Sequence, residues 1–151
     1  MKWTFTIIAL SLSIFYACSQ SLVTKKVPDA VKAKFNKMYP NVSSPEWEME
    51  DGKYEASFKE NKLETAAVFN ADGTLYQTEN EIGVSDLPQS VSDYVASKFD
   101  NKKITGSTKI VSASGITTYE AEAGKTDYVF DANGQYEGVE NEESGNMEED
   151  D

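Results

Sequence analysis

Apolar residues in this chain change period several times, and each change marks an element. From Trp47 to Phe58 they alternate with polar ones around Asp51-Gly52: Trp47 and Met49 before the turn, Tyr54, Ala56 and Phe58 after it. Alternation flanking Asp-Gly is the strongest short-range signal for a β-hairpin. Just upstream the period lengthens. Val27, Val31, Phe35 and Met38 form one helical stripe, which starts at Pro28 and ends before Pro40. Leu87, Val91, Val95 (with Tyr94) and Phe99 repeat that stripe, with Pro88 in the place of Pro28. Turn residues then place strands near 45–50, 53–59, 63–70 and 74–80, and again near 106–113, 116–122, 126–131 and 135–139.

The elements recur because the sequence recurs. Val27-Pro28-Asp29-Ala30-Val31 returns as Leu87-Pro88-Gln89-Ser90-Val91, and Tyr54-Glu55-Ala56 returns as Tyr119-Glu120-Ala121. Val68-Phe69-Asn70-Ala71-Asp72-Gly73 returns as Val129-Phe130-Asp131-Ala132-Asn133-Gly134. The offsets are 60, 65 and 61, so order is kept and spacing shifts at loops. The expected fold class is α+β, a tandem repeat of one helix packed on a four-stranded antiparallel meander. The first unit covers 27–86 and the second 87–140.

Both ends differ from this pattern. Met1-Lys2 precedes an uncharged apolar run from Trp3 to Ala17, the layout of an export signal, so residues 1–18 read as a signal peptide cleaved near 17–20. Phe15-Tyr16-Ala17-Cys18 also resembles a lipoprotein box, although Phe15 and Tyr16 are bulky for one. Cys18 is therefore a lipidation candidate, and plain cleavage is the alternative. Residues 19–26 read as a linker. Residues 141–151 read as an acidic tail too polar to fold; with Glu140 it holds seven acids in twelve positions.

Composition then removes chemistries. Cys18 is the single cysteine, histidine is absent, and every basic residue is lysine. No disulfide, Ser-His-Asp or Cys-His arrangement or His/Cys zinc site can be assembled from this chain. Loss of Lys2 with the leader leaves 13 of 14 lysines against 26 carboxylates. Such a surface repels phosphate backbones, which argues against nucleic acid, and favours solubility or a basic partner.

Side-chain parity supplies a candidate binding face. A two-residue turn at Asp51-Gly52 puts Glu48 opposite Glu55, with Glu46 on the same side and Trp47, Met49, Tyr54 and Ala56 on the other. The same count around Ser114-Gly115 puts Ile110 opposite Tyr119 and Lys109 opposite Glu120. The like-charge pair is open to two readings, a solvated outer face or a docking patch, with weak cation binding as a variant of the second. Catalysis is not expected, since nothing encloses the carboxylates, and neither a cofactor nor a metal is called for.

Val-Pro-x-Ala-Val, the Tyr39-Pro40 after the helix, Trp-Glu-x-Glu-x-Gly-x-Tyr-Glu-Ala and Val-Phe-x-x-Asp-Gly resemble the PepSY-like family, exported bacterial proteins also likened to the beta-lactamase inhibitory protein. The resemblance runs from Val27 to about Glu140 and implies the tandem architecture and a periplasmic or cell-surface address. The second copy departs from it, lacking the tryptophan and the Glu-x-Glu. With this resemblance the expectation is an exported, non-enzymatic module that grips a protein or peptide through its sheet face or hairpin loops, as a modulator or inhibitor of a periplasmic enzyme. The alternative is a periplasmic protein binding a small ligand or divalent cation between the two units. Membrane contact is expected through lipid on Cys18 alone. An exposed aromatic patch on the face away from the helices would mark a protein-binding surface.

Overall fold

The computed structural model describes residues 20–22, 26–50, 52–98 and 103–140. Its strands are β1 (Gln20–Leu22), β2 (Glu46–Glu50), β3 (Lys53–Glu60), β4 (Leu63–Phe69), β5 (Leu75–Glu81), β6 (Ile104–Ser112), β7 (Thr117–Ala123), β8 (Asp127–Asp131) and β9 (Tyr136–Glu140). Helix α1 spans Asp29–Met38 and α2 spans Gln89–Lys98.

These strands form one antiparallel sheet in chain order, β1 to β9. The expected tandem repeat of one helix on a four-stranded meander is therefore overturned, and the open choice between one sheet and two is decided for one. β5 pairs directly with β6, from Gln77 opposite Ser112 to Glu81 opposite Thr108, so the meander does not end after four strands. A short edge strand, β1, lies within the stretch read as a linker and pairs with β2. Among the described residues the protein is mostly sheet, with two α-helices. The physical reason is the edge: two isolated meanders would expose the unpaired N–H and C=O groups of β5 and β6, and pairing them satisfies both rows. Hairpin signals are local and carry no information about a pairing that spans the excursion through α2.

Both helices cover the same face. Under α1 lie Trp47, Ala56, Phe58, Ala67 and Phe69, meeting Val27, Val31 and Phe35 from the helix side. Phe35 stands edge-on to Trp47 and Phe58, each at 5.4 Å between centroids. Under α2, Ala121, Ala123, Tyr128 and Phe130 meet Leu87, Val91 and Val95. The cross-strand pair Ala56–Ala67 is small, which lets α1 approach the sheet closely while aromatics fill the flanks. Phe99, expected to extend the second stripe, lies outside the described residues.

Turn chemistry decides register. Glu50 pairs with Lys53, Met49 with Tyr54, Glu48 with Glu55 and Trp47 with Ala56, as a two-residue turn requires. Asn61 and Lys62, both at positive φ (52° and 73°), make a second two-residue turn. Three other hairpins use a longer loop. Gly73, Gly115 and Gly134 donate their N–H to the carbonyls of Asn70, Ser112 and Asp131, closing a turn in which glycine takes the left-handed position.

The longer loop corrects the second hairpin by one residue. Lys109 pairs with Tyr119, Ile110 with Thr118 and Thr108 with Glu120. Lys109 thus lies on the helix side and Ile110 on the open side, the reverse of the two-residue count.

Two of these loops touch the helices. A Cβ on Gly73 would lie 2.7 Å from the carbonyl oxygen of Ala30 in the first turn of α1. One on Gly134 would overlap Ser90 Oγ in the first turn of α2, and Ser90 Oγ donates to the Asn133 carbonyl at 3.0 Å. Gly115, at the same φ of 86° as Gly73, would carry a Cβ with nothing within 4 Å of it. Gly115→Ala should cost about 1 kcal/mol for the left-handed backbone alone. Gly73→Ala should cost about 3 kcal/mol, because backbone must also move. Urea unfolding at matched m-values checks this, and equal losses would refute the clamp.

The loops also carry the acid sensitivity. Backbone N–H groups of Gln135 and Asn133 hold the Asp131 carboxyl below its ordinary value, and the Thr74 hydroxyl and N–H do so for Asp72. A carboxylate with a depressed folded-state pKa stabilises the fold above its unfolded value of about 4 and loses that contribution as pH falls through the folded value. Stability should decline below about pH 4, and Asp131→Ala should flatten that acid limb in a pH series of urea midpoints.

Candidate binding face

The face away from the helices is built by alternate residues of every described strand from β2 to β9. One cross-strand row reads Glu46, Ser57, Ala66, Glu79, Ile110, Thr118, Asp131. Beside it run Glu48, Glu55, Val68, Gln77, Ser112 on one flank and Glu81, Thr108, Glu120, Val129, Gly138 on the other. Glu122 pairs with Asp127 further along. Lysines on this face, among the described residues, are Lys53 and Lys59, the latter bridged to Glu64 at 2.7 Å. That exposed bridge contributes well under about 1 kcal/mol.

The three residues expected to form a binding face are brought together. Glu48 and Glu55 are direct register partners, and Glu46 lies two positions along on the same side. Their surroundings differ. Glu46 is exposed and Glu48 half-buried, whereas Glu55 is buried at 6%, accepting the Ser57 hydroxyl at 2.9 Å. Ala66, Val68 and Thr108 are buried on the same face, so its floor is small and aliphatic while carboxylates rise around it. On Glu79, Oε1 accepts from the Gln77 amide at 2.8 Å. Cys18 lies outside the described residues.

The face extends well beyond that trio. Glu79, Glu81, Glu122, Asp127 and Asp131 also belong to it, as does Glu120, which the residue count also puts on the outer side; parity changes at two points along the face. A bulge pairs Phe69 with Leu75 but Val68 with Gln77, reversing parity within β5. The three-residue loop at 113–115 reverses β6. A sequence signal for the loop exists: Asn70, Ser112 and Asp131 each stand three residues before a glycine, the preferred ends of a type I turn.

A patch of exposed aromatics, which would mark a protein-binding surface and whose absence counts against one, is not found on this face among the described residues. Trp47, Tyr54, Phe58, Phe69, Tyr119, Tyr128 and Phe130 share the helix side by register. The exposed large apolar residues Leu63, Tyr76, Val84, Ile116, Tyr136 and Val139 scatter over turns and the β9 edge. Lys53 Nζ sits 4.6 Å from the Tyr76 ring centroid, near the free hairpin tips at Gly52 and Gly115. Among the described residues, no group of three or more Asp, Glu, His or Cys side chains converges as a metal site. No helix there is long and apolar enough to cross a membrane.

Comparison with solved structures places this architecture. The fold is similar to that of a structure described as BLIP-like. A Bacteroides eggerthii protein proposed to be periplasmic superposes with a TM-score of 0.68 at 21% identity, covering 75% of this chain and 87% of its own. A DUF2874 family protein from Bacteroides uniformis gives 0.66 at 21%, covering 74% and 87%. A BLIP-like protein from Bacteroides fragilis gives 0.57 at 23%, covering 74% and 84%. At such identities the likeness concerns the fold. No protein-family model matches the chain, so the PepSY-like resemblance has no such support, and no curated protein matches significantly.

Proposed function

We propose that this chain is an exported, non-catalytic binding module that docks a basic protein surface on its uncovered sheet face. The observation that carries the reading is the face itself: β2, β3, β4, β5, β7 and β8 present carboxylates around a short aliphatic floor. Recognition by such a surface comes from charge complementarity, which steers encounter and excludes acidic partners. The likeness to a structure described as BLIP-like supports a protein as the partner. A periplasmic enzyme held in check is the sharper form of the reading. The apolar leader and the neighbour proposed to be periplasmic support the address. Because β5 and β6 are paired, a ligand site between the two units would lie on a face of the continuous sheet and not between separate sheets.

The test immobilises the chain from Ser19 onward and challenges it with periplasmic extract of its host. A specific partner should be retained at low salt and released at about 0.5 M, where the Debye length falls below about 5 Å. Glu46→Lys, Glu48→Lys and Glu120→Lys together should weaken retention at least about tenfold, while Asp93→Lys on α2 should not. A partner held equally by the reversed face would sink the proposal.

A further inference from the structure

Asn133, in the loop between β8 and β9, is the one asparagine of the sequence that is followed by glycine. Such a pair is labile in an open chain, because no side chain on the next residue hinders attack by its backbone nitrogen. The Gly134 nitrogen bonds to Asn133 Cγ, and Nδ2 departs as ammonia, taking the Gly134 proton with it. Water then opens the succinimide at either carbonyl. The product is aspartate or, where the main chain is rerouted through the side chain, isoaspartate.

The fold holds each participant apart. Gly134 is buried, and its N–H donates to the Asp131 carbonyl at 2.9 Å. The carbonyl of the same peptide unit, on Asn133, accepts Ser90 Oγ of α2 at 3.0 Å. The unit is therefore gripped at both poles, from its own loop and from the helix. Asn133 N–H donates to Asp131 Oδ1 at 2.8 Å, and Asn133 Nδ2 lies 3.4 Å from Asp131 Oδ2. Bringing the Gly134 nitrogen onto Cγ means turning this peptide and breaking those bonds, which takes a local opening.

We propose that Asn133 is a modification site closed by the seated α2, where succinimide chemistry turns a reversible release of that helix into a permanent one. The first β-turn clamp reads Asn70-Ala71-Asp72-Gly73, with amide and acid exchanged relative to Asp131-Ala132-Asn133-Gly134. Conversion of Asn133 thus places two carboxylates in a loop whose counterpart holds one. Isoaspartate also adds a methylene to a main chain that has no room for a Cβ at Gly134, and it removes the carbonyl that Ser90 binds. The site is independent of any partner on the sheet face.

Mass spectrometry of the chain from Ser19 onward, incubated in mildly alkaline buffer, tests it. The amide-to-acid mass change at Asn133 should accumulate at least about tenfold more slowly in the folded chain than in the same chain in urea. Ser90→Ala should raise the folded-state rate about fivefold, the opening that one hydrogen bond restrains. Ser92→Ala, on the same helix, should leave it unchanged. Converted chain should unfold at lower urea than its parent. Equal rates in folded and unfolded chain, equal acceleration by both serine variants, or a converted chain as stable as the parent would each overturn the proposal.

Discussion

Everything in this molecule depends on how closely two hairpin tips approach the helices. At Gly73 and Gly134 the backbone passes so near the first turns of α1 and α2 that a single methyl would not fit. The contact fixes where each helix begins over the sheet, hence which residues its apolar stripe meets. Phe35 reaches Trp47, Phe58 and Phe69 because the start of α1 is held at the β4–β5 tip. Two requirements, left-handed backbone and no side chain, fall on one residue, and glycine meets both. That coupling also explains why the proline-started helix and the Asp-Gly or Asn-Gly loop travel together in the sequence.

By committing one face to the helices, the clamps leave the opposite face to solvent, and charge follows the division. Lys26, Lys34, Lys37 and Lys98 lie on or beside the helices, while the sheet's free side is dominated by carboxylates. Separation sacrifices cross-strand ion pairs worth a few tenths of a kcal/mol each and leaves a field of one sign over the face. A surface that serves solubility alone gains nothing from that trade. One that must attract a basic partner does.

Elements are legible in the sequence, and their assembly is much less so. Trp47 opposite Ala56 is readable because Asp51-Gly52 specifies a two-residue loop. Lys109 is misplaced by the same count because Ser112-Ala113-Ser114-Gly115 closes a three-residue loop, and one residue of slip exchanges the faces of a whole strand. The continuous sheet is hidden for a different reason. Gln77–Glu81 and Thr108–Ser112 pair across the intervening helix, and their alternation looks the same whether their edges are free or joined. The Glu46, Glu48 and Glu55 trio lies where local rules hold. Glu79 and Glu81 lie where a bulge alters parity.

Joining the sheet changes what the face can grip. Nine strands about 4.8 Å apart span roughly 40 Å, and five residues along a strand cover about 17 Å, giving roughly 700 Å². A standard protein interface takes about 800 Å² from each partner. One four-strand unit would offer less than half of that, in the range of weak encounters. The paired β5 and β6 therefore convert two undersized patches into one surface of sufficient extent. The right-handed twist, about 20° per strand, turns that surface through much of a half-circle, so a partner must follow its curve to use all of it. Glu46 and Glu48 on β2 and Glu120 on β7 belong to opposite ends of this path. A partner that senses both has read the seam between β5 and β6, and its binding will depend on that pairing as much as on the carboxylates.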